Sequence, residues 1–154
     1  MRIVLASDHA GYALKAHLAA ALTAAGHDVL DLGTDSAESV DYPHYAASAA
    51  RAVADGEAER GVLVCGSGNG VAIVANKVPG IRAVNAHDAG EAEMARRHND
   101  ANVVTLSGAR LDPPSAEAIV ATFLETDFDG GRHARRVDQI SAIETDQHVT
   151  ETPA

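Results

Sequence analysis

Gly61-Val62-Leu63-Val64-Cys65-Gly66-Ser67-Gly68-Asn69-Gly70 joins a short apolar run to a loop with glycine at every second position. The run ends in Cys65, the single cysteine of the chain, and a second apolar stretch starts at Val71. This pattern predicts a strand, a glycine loop and the start of a helix, with Cys65 at the carboxyl end of the strand. Open α/β sheets bind their ligands at that edge. The backbone N–H groups of Gly66, Ser67, Gly68, Asn69 and Gly70 would form a nest that favours an anion. The same nest would favour thiolate over thiol at Cys65. A candidate base and a candidate oxyanion site thus lie side by side. The plain alternatives are a tight strand-to-helix turn and a cysteine that serves only as a small core hydrophobe. The G-x-G-x-x-G spacing of dinucleotide sites is absent, and no Lys-Ser/Thr follows as in a P-loop.

Composition frames this stretch. The 154 residues suit one domain with a real core. Apolar residues make up 46% and aromatic residues only 3%, so the core must be built from Ala, Val, Leu and Ile. Such a core suits a parallel sheet covered by Ala-rich helices. A formal net charge of −10 argues against nucleic acid or an anionic membrane as the main partner. One cysteine leaves no internal disulfide and fits a reducing compartment. The apolar run at the amino terminus is too short for a signal sequence or a membrane span. Together these features predict a cytoplasmic protein.

Along the chain, strands are predicted at 2–7, 28–32, 61–64, 81–85 and 102–106. Helices are predicted at 12–25, where Leu14, Leu18 and Leu22 recur at helical spacing, at 45–54, from 71, and at 87–97. A further helix opens at Pro113-Pro114, and a last one covers 132–143. The alternation predicts a three-layer α/β/α, Rossmann-like open sheet of about five parallel strands with right-handed crossovers. Residues 1–143 form the single domain, and 144–154 read as a polar, disordered tail.

Loops after the strands of such a sheet share one edge. Asp8-His9 would sit there after the first strand, beside Cys65 and its glycine loop. Asp8 also has a plain reading as a helix cap. His98-Asn99 closes a predicted helix: a proton donor with a polar neighbour, or a surface histidine favoured by the helix dipole. Arg132, Arg135 and Arg136 with His133 form a basic cluster in an acidic chain. Cations at a helix start oppose the dipole, so an anion is expected there, and arginine suits phosphate. Arg110 is a further member of that group. The histidines show no metal-ligand spacing, so neither metal nor cofactor is expected. From the residues alone two classes stand: a cofactor-free enzyme acting on a small phosphorylated substrate, or a phosphate-metabolite binding module without chemistry.

Asp8-His9-Ala10-Gly11, Asp41-Tyr42-Pro43, the run from Cys65 to Gly70, Ala75-Asn76-Lys77, Gly80-Ile81-Arg82-Ala83, His98-Asn99-Asp100-Ala101-Asn102 and Gly130-Gly131-Arg132-His133 occur in this order. Together they closely resemble the type B ribose-5-phosphate isomerases, whose family also holds allose- and galactose-6-phosphate isomerases. The resemblance covers about residues 1–144. It implies interconversion of an aldose phosphate and a ketose phosphate through a cis-enediolate, without metal or cofactor. Cys65 resembles the base that moves the proton between C1 and C2. Gly66, Ser67, Gly68, Asn69 and Gly70 look like the loop that stabilises the enediolate oxygen. His98 looks like the acid that opens the furanose ring. Asp8, His9 and Asn99 resemble residues that hold sugar hydroxyls, and Arg132, Arg136 and Arg110 those that hold phosphate. The resemblance further implies a homodimer or homotetramer with shared active sites and a C-terminal helix extending to a partner subunit.

Two departures stand out against that resemblance. A branch of the family uses a Glu just after the glycine loop, where this chain has Val71; the cysteine branch therefore applies. The segment from His98 to Arg110 is one residue longer than the family pattern. That marks a tetrose or hexose phosphate as the alternative substrate.

Overall fold

The computed structural model describes residues 1–145. β1 (Arg2–Ser7), β2 (Asp28–Asp31), β3 (Arg60–Cys65), β4 (Ala83–Asn85) and β5 (Val103–Ser107) form one parallel sheet in the order β2-β1-β3-β5-β4. α1 (Tyr12–Ala24), α2 (Tyr42–Ala54), α3 (Asn69–Ala75), α4 (Ala89–Asn99), α5 (Pro113–Glu125) and α6 (Arg132–Glu144) complete the described residues. The expected α/β/α architecture is therefore present.

Alternation along the strands builds two cores. Ile3, Leu5, Val62, Val64, Val104 and Leu106 face one side and pack with residues of α1, α4 and α5. Val4, Ala6, Leu63, Cys65 and Val103 face the other and pack with α2 and α3. Both layers use small aliphatic side chains, and Phe123 is the one aromatic among the largest fully buried side chains. Strands buried on both faces read as continuous apolar runs, as at 62–64.

Boundaries shifted where caps decide them. α2 starts at Tyr42, three residues before the predicted start, because Pro43 occupies its first turn with Asp41 as extended N-cap. α3 starts at Asn69, inside the glycine loop. α4 is displaced two residues later: Asp88 caps it by accepting the Glu91 N–H at 2.8 Å, and Asp100 ends it in the left-handed region at φ +45°. α6 runs through Glu144, and most of the expected tail, 146–154, lies outside the described residues.

The chain steps from β1 outward to β2 and then back across to β3, so the connections reverse between β1 and β3. Ligands bind in the crevice at such a switch point. Its two rims here are Asp8, after β1, and Cys65, at the end of β3.

Candidate active site

At the carboxyl edge, Cys65 is buried and its sulfur accepts the Gly68 N–H at 3.1 Å. Gly68 makes that approach at φ +79°, and a Cβ there would lie 3.0 Å from the Leu106 carbonyl carbon and closer still to Asn85 Oδ1. The Asn69 N–H turns to Ser67 Oγ at 3.2 Å. Two of the loop's N–H groups are thus used inside the loop. The Ser67 N–H has no acceptor among the described residues, and the Ser67 hydroxyl keeps its own proton for a further partner. Val71 is buried in the core, so no carboxylate follows the loop in place of the sulfur.

Across the switch point, Asp8 is buried, and one carboxylate oxygen accepts the Gly11 N–H at 3.1 Å. Asp8 is not the helix cap that its residue type suggests, since Gly11 is the N-cap of α1; it closes the turn before the helix, and its second oxygen has no partner among the described residues. Gly11 packs so closely on β3 that a Cβ would stand 2.6 Å from the Val64 carbonyl oxygen, which draws the two rims together. His9 Nδ1 stands 3.2 Å from the Val40 backbone nitrogen and 3.3 Å from the Val40 carbonyl oxygen, which anchors the ring to the loop before α2 in either tautomer. Tyr42, assigned to a loop by sequence, lies against Gly70: a Cβ on Gly70 would meet the phenol ring at 2.6 Å. Its signal was the Asp41-Tyr42-Pro43 motif, whose position opposite the glycine loop depends on the α2 start.

The segment from His98 to Arg110, which the resemblance marks as one residue longer than the family pattern, includes all of β5. Ser107 extends that strand opposite Cys65, and the Gly108 N–H donates to the Cys65 carbonyl at 2.8 Å. Arg110 is exposed and has no side-chain partner among the described residues.

His98 and Asn99 stand elsewhere. α4 carries the chain from the carboxyl end of β4 back to the amino end of β5, so its last residues lie at the opposite edge of the sheet from Cys65. Arg82, which precedes β4, confirms the placement: its Nε donates to the Asn99 carbonyl at 2.9 Å. The His98 ring stacks on His133 of α6, with centroids 4.1 Å apart and planes 7° apart. Arg132 and Arg136, one helical turn apart on α6, are both exposed. No hydrogen bond, ion pair or ring contact joins this group to Cys65, Asp8 or His9 among the described residues.

The electrostatics of this second group favour an anion. Burial pushes the His133 pKa down, and neighbouring His98, Arg132 and Arg136 push it further. The hydrogen bond from Arg97 holds the Asp129 carboxyl below the usual range. His98, Asp129 and His133 do bring one ligand atom each within 4.8 Å of one another. Parallel rings, however, aim their in-plane lone pairs side by side and not at one ion, and Arg97 already holds Asp129.

Comparison with known proteins identifies the family. The sequence profile described as Ribose/Galactose Isomerase matches residues 3–140. The chain belongs to the ribose/galactose isomerase family. It is an isomerase, and relatives agree over nearly their whole length. Ribose-5-phosphate isomerase B of Escherichia coli (strain K12) is 44% identical over 143 residues, 93% of this chain and 96% of that protein. D-erythrulose-4-phosphate isomerase of Pectobacterium atrosepticum is 38% identical over 145 residues, 94% of this chain and 95% of that protein. Among solved structures, Clostridium thermocellum ribose-5-phosphate isomerase B superposes with a TM-score of 0.94 at 46% identity, covering 95% of this chain and 99% of that one. In this ribose/galactose isomerase, no helix among the described residues is long and apolar enough to cross a membrane.

Proposed function

We propose that this isomerase interconverts ribose 5-phosphate and ribulose 5-phosphate through a cis-enediolate. Cys65 as thiolate removes the proton from C2 of the open-chain aldose and the electron pair passes to the carbonyl oxygen on C1; the hydroxyl proton on O2 moves to O1, and the Cys65 proton is returned to C1 as the carbonyl forms at C2. The observation that carries this reading is the sulfur seated inside its own donor loop, with the Ser67 N–H beside it unclaimed. Removing a proton alpha to a carbonyl requires a base near the carbon and donors where the oxyanion grows. One such donor is worth about 3–4 kcal/mol. Gly66, Ser67, Gly68, Asn69 and Gly70 provide that face, Asp8 and His9 hold hydroxyls from the other rim, and no metal or cofactor takes part.

His98 opens the furanose ring, Asn99 holds a hydroxyl, and Arg132 and Arg136 hold the phosphate, with Arg110 as a further contact. Because His98 and Cys65 lie at opposite edges of one sheet, the site is completed by a second copy, whose α6 region reaches the first. The exposed Ile140 and Ile143 of α6, beside the edge strand β4, supply apolar surface for that contact. A homodimer is the smallest assembly with shared sites, a homotetramer a pair of them. The reducing environment that a free thiolate base needs fits a cytoplasmic enzyme.

A second reading, isomerisation of a tetrose 4-phosphate, is favoured by the extra residue before Arg110 and by the Pectobacterium relative named for such a substrate. An allose or galactose 6-phosphate would need more room between the loop and the arginines. A panel of C4, C5 and C6 aldose phosphates, assayed for ketose formation, decides. The highest kcat/KM is expected on ribose 5-phosphate. Preference for the tetrose overturns the substrate assignment, and turnover of none returns the chain to a sugar-phosphate binding module.

A further inference from the structure

Three successive peptide groups of the glycine loop are each held from behind by a side chain of a neighbouring strand. Ser107 Oγ donates to the Gly66 carbonyl at 2.6 Å, Asn85 Nδ2 to the Ser67 carbonyl at 3.2 Å, and Thr105 Oγ1 to the Gly68 carbonyl at 2.9 Å; the longer backbone bonds from Ala109 N–H to Gly66 (3.2 Å) and Ala72 N–H to Gly68 (3.3 Å) share two of these carbonyls. A trans peptide is planar, so each pinned C=O fixes the following N–H in the opposite direction. Those N–H groups belong to Ser67, Gly68 and Asn69. Gly68 N–H meets Cys65 Sγ, Asn69 N–H meets Ser67 Oγ, and Ser67 N–H faces outward with no acceptor among the described residues.

The holding groups come from regular structure. Thr105 and Ser107 are two apart on β5, so they face the same side of the sheet, that of Cys65 and α3. Both residues are buried, and the bond from Thr105 to the Gly68 carbonyl is closed off from water. Asn85 ends β4 and also donates to Asn69 Oδ1 at 2.6 Å. The loop they hold has glycine at 66, 68 and 70, residues that rotate with little steric cost. A peptide that flipped would present a carbonyl oxygen, the negative end of its dipole, to the enediolate.

We infer that Asn85, Thr105 and Ser107 are positioning residues that set the polarity of the nest, keeping its N–H groups toward Cys65 and the substrate oxygen. Sequence places Ser107 only in the loop after the fifth strand and gives Asn85 and Thr105 no role, since a Thr in a buried strand reads as tolerated core. The kinetic consequence rests on the proposed isomerase reading; the backbone consequence does not.

The test uses the whole protein with Ser107→Ala and the near-isosteric Thr105→Val, and Thr105→Ser as the variant that keeps the hydroxyl. Two quantities are read. On ribose 5-phosphate, kcat is expected to fall about tenfold or more in the Ala and Val variants, with KM within about twofold and recovery in Thr105→Ser. Without substrate, NMR order parameters of the Ser67, Gly68 and Asn69 amides are expected to drop from about 0.85 to below about 0.6 in the same two variants and to recover in Thr105→Ser. Amides that stay rigid in both variants overturn the inference, as does a loss in Thr105→Val that Thr105→Ser does not restore. If one variant fails to fold, the other decides. If the unaltered protein turns over no aldose phosphate, the proposed function fails and the amide measurement alone decides the inference.

Discussion

The backbone N–H of Gly68 donates to the sulfur of Cys65 across 3.1 Å, from a residue at φ +79°. A side chain at 68 meets two obstacles, a left-handed backbone and the atoms of Asn85 and Leu106. Gly68→Ala is expected to cost about 1–3 kcal/mol of stability, and to lower kcat at least tenfold as the donor leaves the sulfur. Urea denaturation and steady-state kinetics check both. Unchanged kcat in a folded Gly68→Ala variant would show that the contact is only structural.

Under the proposed function His98 contributes ring opening, a step that matters only for substrates that cyclise. In His98→Asn, kcat/KM on ribose 5-phosphate is expected to fall by roughly 10²–10⁴. On an aldose phosphate too short to close a ring the loss should be small. Equal losses on the two substrates reject the role. A neutral Asn also tests the stack on His133, since the planar amide keeps much of that contact.

Arg132 and Arg136 are exposed cations at the start of α6, where the helix dipole opposes them. A phosphate between them relieves that repulsion. Arg132→Ala and Arg136→Ala should each raise KM about tenfold or more, consistent with the worth of a hydrogen bond to a charged group. Inorganic phosphate should inhibit both variants more weakly than the unaltered enzyme. Inhibition by phosphate that is the same in all three proteins places the anion elsewhere.

His133 makes a pH prediction with a definite sign. Its folded pKa is lowered by burial and by the cations near it. Between that value and the ordinary histidine value near 6.5, the unfolded chain binds more protons, so stability rises with pH. Acidification through the unfolded value therefore begins to destabilise the fold, and the loss ends once the folded-state pKa is passed. His133→Gln should flatten this part of the stability curve. Asp129, lowered by Arg97, acts in a separate and more acid window, where its stabilisation is lost as pH falls. Thermal melts across the two windows, with and without His133, separate the contributions.

Much of the fold was legible because its signals are local. The buried strand at 62–64 is an unbroken apolar run, the one at 103–106 is interrupted only by Thr105, and Leu14, Leu18 and Leu22 mark the inner face of α1. What failed were element ends, which depend on caps: Pro43 within the first turn of α2, Asp88 and Asp100 at the two ends of α4. Within the site, Cys65, Asp8 and His9 follow from strand-end position, and the structure gathers them. The distance of His98 from Cys65 follows from the direction of α4, which the order of elements contains, but the strand order β2-β1-β3-β5-β4 does not follow from any local pattern. Ser107 reads from the sequence only as a loop residue at that edge, and Asn85 and Thr105 carry no signal: each is inferred to act through a backbone carbonyl, and no spacing in the sequence announces which peptide a side chain will hold.

The central claim is that Cys65 of one copy works with His98 of another on a single sugar phosphate. Cys65→Ala and His98→Asn chains, each nearly inactive alone, test it when co-expressed and assayed on ribose 5-phosphate. With random pairing, half the dimers are mixed, and each mixed dimer carries one site with both side chains intact. Activity should then return to about a quarter of the unaltered enzyme. A mixture no more active than its two parents would contradict the shared site.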